Sequence, residues 1–386
     1  MTTQEHDDPG DASSPTRPGP RVLVVGAGIA GLAVVRALRG WDARIEVVDR
    51  EAAPHGVGAG IFLPGNAVRA LRALALDDAV VERAVRIERQ RIADHRGRVL
   101  FELDTSSLWP DDVPTLATSR TTVHAALLDD LGDAVVRWGT SPVTMVRDGP
   151  GVDVTFTDGT SGRYDLVIGA DGAHSAVRRL VFGDVGLRAT GVRAWRLVMP
   201  RRSTEPVWSV RLGRGTSFLT IPVGEDLDYC YLDVTDAGAG GRPGGPGTTL
   251  AEVAARFDDT VRATTDGAVV KHTGPLEEVS LGYWSRGRVL LVGDAAHATP
   301  PSLAQGAAMA LEDAIVLGEL LRVTPSIPTA LREYERRRRP RVDRVQQQTR
   351  QRDRTRGLHP AARNLLLRTA GPRLFRANYR GLGARA

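Results

Sequence analysis

The segment Gly26-Ala27-Gly28-Ile29-Ala30-Gly31 stands directly after the apolar run Val22 to Val25 and opens the helical pattern Leu32 to Leu38. A strand, a tight turn and a helix in that order form the unit that a dinucleotide pyrophosphate requires. Gly26 permits the turn, and Gly28 lets backbone N–H groups approach phosphate oxygens. Gly31 lets helix and strand pack closely, and the helix N-terminus, with Ala30 in its first turn, presents partial positive charge. A second apolar strand, Arg44 to Val48, ends in Asp49, about 20 residues after the last glycine, where a carboxylate accepts hydrogen bonds from an adenosine ribose. The plainer alternative for these residues is a merely tight βα turn.

At 386 residues the chain is long enough for about two domains. Its 42% apolar and 25% charged residues are those of an ordinary globular protein. No stretch approaches the roughly 18 consecutive apolar residues of a membrane span, and the N-terminus lacks the basic-then-apolar order of a signal peptide, so a cytoplasmic protein without membrane insertion is expected. The single cysteine, Cys230, excludes an intrachain disulfide and a multi-thiolate metal site. Between Tyr229 and Tyr231 it reads as a buried strand residue.

The formal charge of +5 is unevenly spread: residues 331–386 hold 17 arginines against 4 acidic residues. A run such as Arg336-Arg337-Arg338-Arg339 invites contact with nucleic acid or an anionic membrane. The tail has neither a groove-reading motif nor interleaved aromatics, so no nucleic-acid partner is expected, and the tail reads as a solvated, partly helical face. Lys271 is the sole lysine beside 50 arginines, a pattern of coding bias.

No internal repeats occur. Residues 1–20, rich in Asp, Ser, Pro and Gly, carry too little apolar surface to fold and are expected to be disordered. Strand and helix signals alternate to about residue 75 as in a βαβ unit. Val152 to Thr157 alternates apolar and polar residues, meets Asp158-Gly159 and returns toward Tyr164, a hairpin signal. From about 186 to 285 the chain reads as antiparallel strands, clearest at Val207 to Leu212, Ser217 to Ile221 and Tyr229 to Val234. A Gly/Pro loop at 238–247 reads as a mobile surface segment, and after residue 303 the pattern is helical.

Two further motifs narrow the dinucleotide. Asp165 to Gly169 is an apolar strand followed by Ala170-Asp171-Gly172-Ala173-His174-Ser175, and Gly287 to Val292 is another, followed by Gly293-Asp294-Ala295-Ala296-His297 and then Pro300-Pro301. A carboxylate at a strand end beside a glycine can accept hydrogen bonds from a polyol chain; flavin nucleotides carry one in the ribityl group, and NAD does not.

In this order and at these separations the three motifs resemble the single-component FAD-dependent aromatic hydroxylases of the para-hydroxybenzoate hydroxylase fold. The likeness covers residues 21 to about 345. It implies an α/β architecture: a Rossmann-like FAD-binding domain, an inserted mixed or antiparallel β-sheet substrate domain, and C-terminal helices. The expected division is an FAD domain from 21–75, 98–180 and 275–325, a substrate sheet from 76–97 and 181–274, and a helical region at 326–386. The resemblance implies that Gly26, Gly28 and Gly31 hold the pyrophosphate, that Asp49 with Arg50 meets the adenosine ribose, and that Asp294 binds ribityl hydroxyls. Arg120, in Thr118-Ser119-Arg120-Thr121-Thr122, matches the family arginine that reaches FAD from the start of a helix. Gly58-Ala59-Gly60-Ile61 with Pro64 and Asn66 is a shorter match.

In such enzymes NADH or NADPH reduces FAD, O2 adds to give a C4a-hydroperoxyflavin, and its terminal oxygen passes to an electron-rich small aromatic substrate. The helix beginning near Leu303-Ala304-Gln305-Gly306, with Ala307 in its first turn, would aim free N–H groups at the flavin pyrimidine, worth about 0.3–1 kcal/mol when exposed. Pro301, with Pro300, would shape the oxygen pocket or simply stiffen the connection. Arg196, in Trp195-Arg196, faces substrate or flavin, or else forms a surface salt bridge. His297 and His174 read as turn-ordering residues, and Tyr229 and Tyr231 as core or pocket wall.

Flavin-dependent halogenases of related fold carry a lysine soon after the glycine turn and a Trp-x-Trp-x-Ile-Pro segment, both absent here. A second GxGxxG unit is also absent, so the nicotinamide should visit transiently. A flavin reductase of the same fold and a non-catalytic FAD-binding accessory protein remain alternatives. A monomer or homodimer is expected, and strand register leaves the substrate-facing residues open.

Overall fold

A computed structural model describes residues 19–54, 59–109, 113–235 and 248–384. Most of the expected tail, Gly58 and the Gly/Pro loop at 238–247 lie outside the described residues.

The chain begins with strand β1 (Arg21–Val25), helix α1 (Ile29–Ala37) and strand β2 (Arg44–Asp49). A hairpin of β3 (Arg89–Asp94) and β4 (Val99–Asp104) follows, then helix α2 (Arg120–Leu128), β5 (Val135–Trp138), β6 (Leu166–Gly169) and helix α3 (Ala176–Phe182). Next come β7 (Leu187–Pro200), β8 (Val207–Leu212), β9 (Thr216–Pro222), β10 (Leu227–Thr235), β11 (Val269–Val279) and β12 (Val289–Leu291). Three long helices close the chain: α4 (Gly306–Val323), α5 (Ile327–Arg354) and α6 (Pro360–Tyr379).

Two sheets organise these elements. The first has the order Ser285–Arg286, β12, β6, β1, β2, β5, with every pair from β12 to β5 parallel. Its central strands are covered on both faces, which is why β1 and β6 read as continuous apolar runs without alternation. Helix α4 packs on α1 at Gly318, where a Cβ would fall 2.4 Å from the carbonyl oxygen of Ala37. The Val152-to-Tyr164 hairpin forms as expected, in a separate three-stranded sheet.

The second sheet has seven strands in the order β11, β7, β10, β9, β8, β3, β4 and is mixed, since β8 and β3 run parallel. One face packs Leu197, Phe218, Cys230 and Leu232 against Val253 and Val261 of two short helices and Phe257 of the turn between them. The alternation places Tyr229 and Tyr231 on the other face. Two expected domain junctions differ from what is found. The boundary at 97/98 falls in the turn of the β3–β4 hairpin, and that at 274/275 falls inside β11, because both segments are hydrogen-bonded into the seven-stranded sheet.

The arginine-rich tail is not simply a solvated face. Arg338 is fully buried, with Nη1 donating to Glu312 Oε2 at 2.8 Å and Nε to Asp313 Oδ1 at 2.8 Å. Arg341 also pairs with Glu312, Arg350 with Glu278, and Arg356 with Asp233. Part of the tail's charge is therefore met by carboxylates of the body of the protein. Among the described residues no helix is long and apolar enough to cross a membrane.

Candidate active site

The glycine turn requires glycine at its first and last positions. Gly26 has φ +106°, and a Cβ there would lie 2.5 Å from the carbonyl oxygen of Ala170. At Gly31 a Cβ would lie 1.8 Å from the carbonyl oxygen of Gly26, whereas Gly28 faces open space. Helix α1 starts at Gly28 with no side-chain cap, which leaves its first N–H groups available to an anion. Asp49 Oδ2 accepts from Ala27 N–H at 2.6 Å and Oδ1 from Glu51 N–H at 2.9 Å, so this carboxylate also shapes the turn. Each oxygen keeps a lone pair for a further donor. His124, a residue that sequence reasoning missed, buries its Nε2 2.8 Å from Ala27 O. Its only signal is its position one helical turn after Arg120.

Ten of the candidate residues line one cavity of about 1100 Å³: Gly26, Gly28, Ala30, Asp49 and Arg50 at one end, then Arg120, Asp294, Gly306, Ala307 and Pro301. Arg196 lines the same cavity as an eleventh, and Gly31 is not among its lining residues. Arg120 opens helix α2 after Ser119, whose hydroxyl accepts from Thr122 N–H at 3.0 Å. Its guanidinium faces the cavity but is crowded by protein atoms, and that burial lowers its pKa; Asp294 opposes the shift, and Arg196 adds to it.

The two carboxylates at strand ends part company. Asp171 accepts from Ser175 Oγ and from the N–H groups of Ala176 (2.6 Å) and Val177 (3.1 Å), so it caps α3; burial raises its pKa. Asp294 starts a four-residue helix after Gly293, at φ +56°, and remains accessible to the cavity. Of the two, Asp294 is the one free to meet a polyol.

Beneath that turn lies a buried polar network. Asp313 Oδ2 accepts from Gly293 N–H at 3.0 Å and sits 2.6 Å from His297 Nε2. His297 thus orders the turn. Asn66 Nδ2 donates to Gln305 Oε1 and to Glu312 Oε1, both at 3.0 Å, which ties the residue before α4 to the same cluster. His174 pairs with Glu277 at the surface.

One lateral row crosses the seven-stranded sheet on the cavity side. In register, Phe101 of β4 lies beside Ile92, Ile92 beside Val210, Val210 beside Leu219, Leu219 beside Tyr231, Tyr231 beside Arg196, and Arg196 beside His272. In-register neighbours share a face, and all seven line the cavity. Burial, with Arg196 and Arg120 nearby, lowers the pKa of His272, while burial pushes the Tyr229 phenol up to about 12. Tyr231 donates to Asp233 Oδ2 at 3.0 Å, and Arg356 grips both oxygens of that carboxylate at 2.8 and 2.5 Å.

Residues 20–349 match the FAD binding domain family. The 2-heptyl-3-hydroxy-4(1H)-quinolone synthase of Pseudomonas aeruginosa is 34% identical over 339 residues, covering 85% of this chain and 87% of that protein. The 3-amino-4-hydroxybenzoate 2-monooxygenase of Streptomyces cremeus is 33% identical, covering 86% of each. The crystal structure of Klebsiella pneumoniae HpxO complexed with FAD and uric acid is similar at a TM-score of 0.85 and 27% identity, covering 94% of this chain and 96% of that one. The family match spans most of the chain and the relatives are matched nearly end to end: the chain belongs to the FAD-dependent aromatic hydroxylases and is an FAD-dependent monooxygenase.

Proposed function

We propose that this enzyme uses NADH or NADPH, visiting transiently, and O2 to hydroxylate an electron-rich aromatic ring. The balance is ArH + O2 + NAD(P)H + H⁺ → ArOH + NAD(P)⁺ + H2O. Bound FAD supplies electron transfer from the nicotinamide to oxygen. Gly26, Gly28, Ala30 and Gly31 hold its pyrophosphate, Asp49 and Arg50 its adenosine ribose, and Asp294 with Arg120 its ribityl region. The N–H groups of Gly306 and Ala307, which open α4, would meet the flavin pyrimidine, where the helix dipole would favour negative charge. Pro301 shapes the space beside the ring without offering a donor, and Arg196 with Tyr231 orients the substrate. The enzyme acts on a small molecule as a monomer or homodimer, and a cytoplasm supplied with NAD(P)H suits the chemistry.

The observation that carries this reading is that the glycine turn, Arg120, Asp294 and Pro301 share a single cavity with the in-register row through Arg196. The test is the visible spectrum of the purified protein, then anaerobic NAD(P)H, then oxygen in the presence of phenolic candidates. A flavin spectrum bleached by nicotinamide and an oxygenated product on aeration support it. Reduction without any oxygenated product would favour a reductase, and FAD binding without reduction an accessory flavoprotein.

A further inference from the structure

The row across the sheet is longer than an aromatic ring needs and changes character along its length. With strands about 4.8 Å apart, its seven positions span about 29 Å. The polar end, Arg196 and His272, lies toward the cofactor: Tyr229, two residues before Tyr231 on β10, packs so closely on Gly60 that a Cβ there would fall 2.4 Å from its own, and Gly60 pairs with Ser119 beside Arg120. The stretch Leu219, Val210, Ile92, Phe101 is wholly apolar and runs about 14 Å away from that end. Helix α6 roofs this stretch with Leu366, Leu367, Leu374 and Phe375, which line the same cavity. The nearby charges are turned aside: Arg363 donates to the carbonyls of Leu212 and Gly213, and Arg352 stacks 5.1 Å from the Phe375 ring centre. The far end is closed where α6 touches the sheet, because a Cβ on Gly371 would meet Phe101 at 2.4 Å. Leu366 and Leu374 are 43% and 46% exposed, so the arm opens to solvent beside α6.

We infer that the substrate is an amphiphile: an electron-rich aromatic ring held near Arg196 and Tyr231, carrying an aliphatic chain that lies along Leu219, Val210 and Ile92 toward Phe101. This rests on the monooxygenase reading for the ring and on the apolar arm for the chain. Water filling such an arm gains few hydrogen bonds, and each methylene replacing it removes apolar wall from water.

The test uses the FAD-loaded enzyme and two homologous series, 4-alkylphenols and 2-alkyl-4(1H)-quinolones, with chains of none to nine carbons. Kd is read from perturbation of the flavin absorption spectrum, which needs no turnover. Affinity is expected to rise about fourfold per methylene and to level off once the chain reaches Phe101. Val210→Trp should move that plateau to shorter chains. Leu374→Gln, at an exposed position that threatens the fold little, should reduce the gain per methylene. A flat dependence on chain length, no binding by either series, or both variants leaving the dependence unchanged would overturn the inference. Flat dependence with hydroxylated product overturns the arm and leaves the monooxygenase reading standing. Graded binding without oxygenated product leaves the arm standing and removes that reading.

Discussion

Asp313 and Gly293 are joined by a 3.0 Å hydrogen bond from the Gly293 N–H to Asp313 Oδ2, so a carboxylate on α4 holds the turn that presents Asp294. The same carboxylate meets His297 and the buried Arg338. Burial would raise its pKa, but His297, Arg338 and the Gly293 N–H together hold it well below the usual carboxylate range.

Asp313→Ala leaves Arg338 short of a partner in the core and frees the turn. A loss of about 3–5 kcal/mol is expected, together with reduced FAD content. Chemical unfolding and the ratio of flavin to protein absorbance check both. Unchanged stability would mean that Glu312 alone satisfies Arg338.

Arg120→Ala and Asp294→Ala should lower FAD occupancy with little effect on the fold, since both side chains face the cavity. Flavin content after gel filtration, with far-UV circular dichroism as the fold control, is the measurement. Full occupancy in both variants would contradict the cofactor placement.

Arg196→Ala should retain FAD and slow substrate-dependent NAD(P)H oxidation, because Arg196 sits in the cavity-lining row between Tyr231 and His272. Wild-type kcat and KM in this variant would return Arg196 to a structural role.

Arg356→Ala removes the bidentate partner of the fully buried Asp233 and should cost on the order of 3 kcal/mol. Because Arg356, in the turn that follows α5, ties that turn to the sheet, proteolysis near residues 355–359 should also accelerate. A thermal melt and limited proteolysis read the two effects.

Cys230 is buried among Leu197, Phe218 and Leu232, and burial pushes its thiol up to about 12. An unfolded thiol ionises near 8.5, so between about 8.5 and 12 the unfolded state alone loses the proton. Stability should therefore fall as pH rises through that window and be untouched by this group below it. Iodoacetamide should fail to label the native protein at pH 8 and should label it in denaturant. Cys230→Ala should flatten the alkaline loss.

What the sequence alone determined is local. A strand, a Gly26-to-Gly31 turn and a helix need only about twenty contiguous residues, and Asp49, Arg120 and Asp294 each sit at the boundary of an element whose apolar pattern is readable. The hairpin at Val152 to Tyr164 is legible for the same reason. Only the tertiary structure decided which carboxylate serves which role, because Asp171 and Asp294 occupy equivalent turns but only Asp171 caps the helix that follows. It also decided the fate of the arginine tail, whose charges meet Asp313, Glu312, Glu278 and Asp233 across long stretches of chain. The row from Phe101 to His272 draws one residue from each of seven strands, and a one-residue slip in any of them would turn its residue to the opposite face. Register is fixed by the packing of both faces together, so the substrate-facing surface exists only once the sheet has formed.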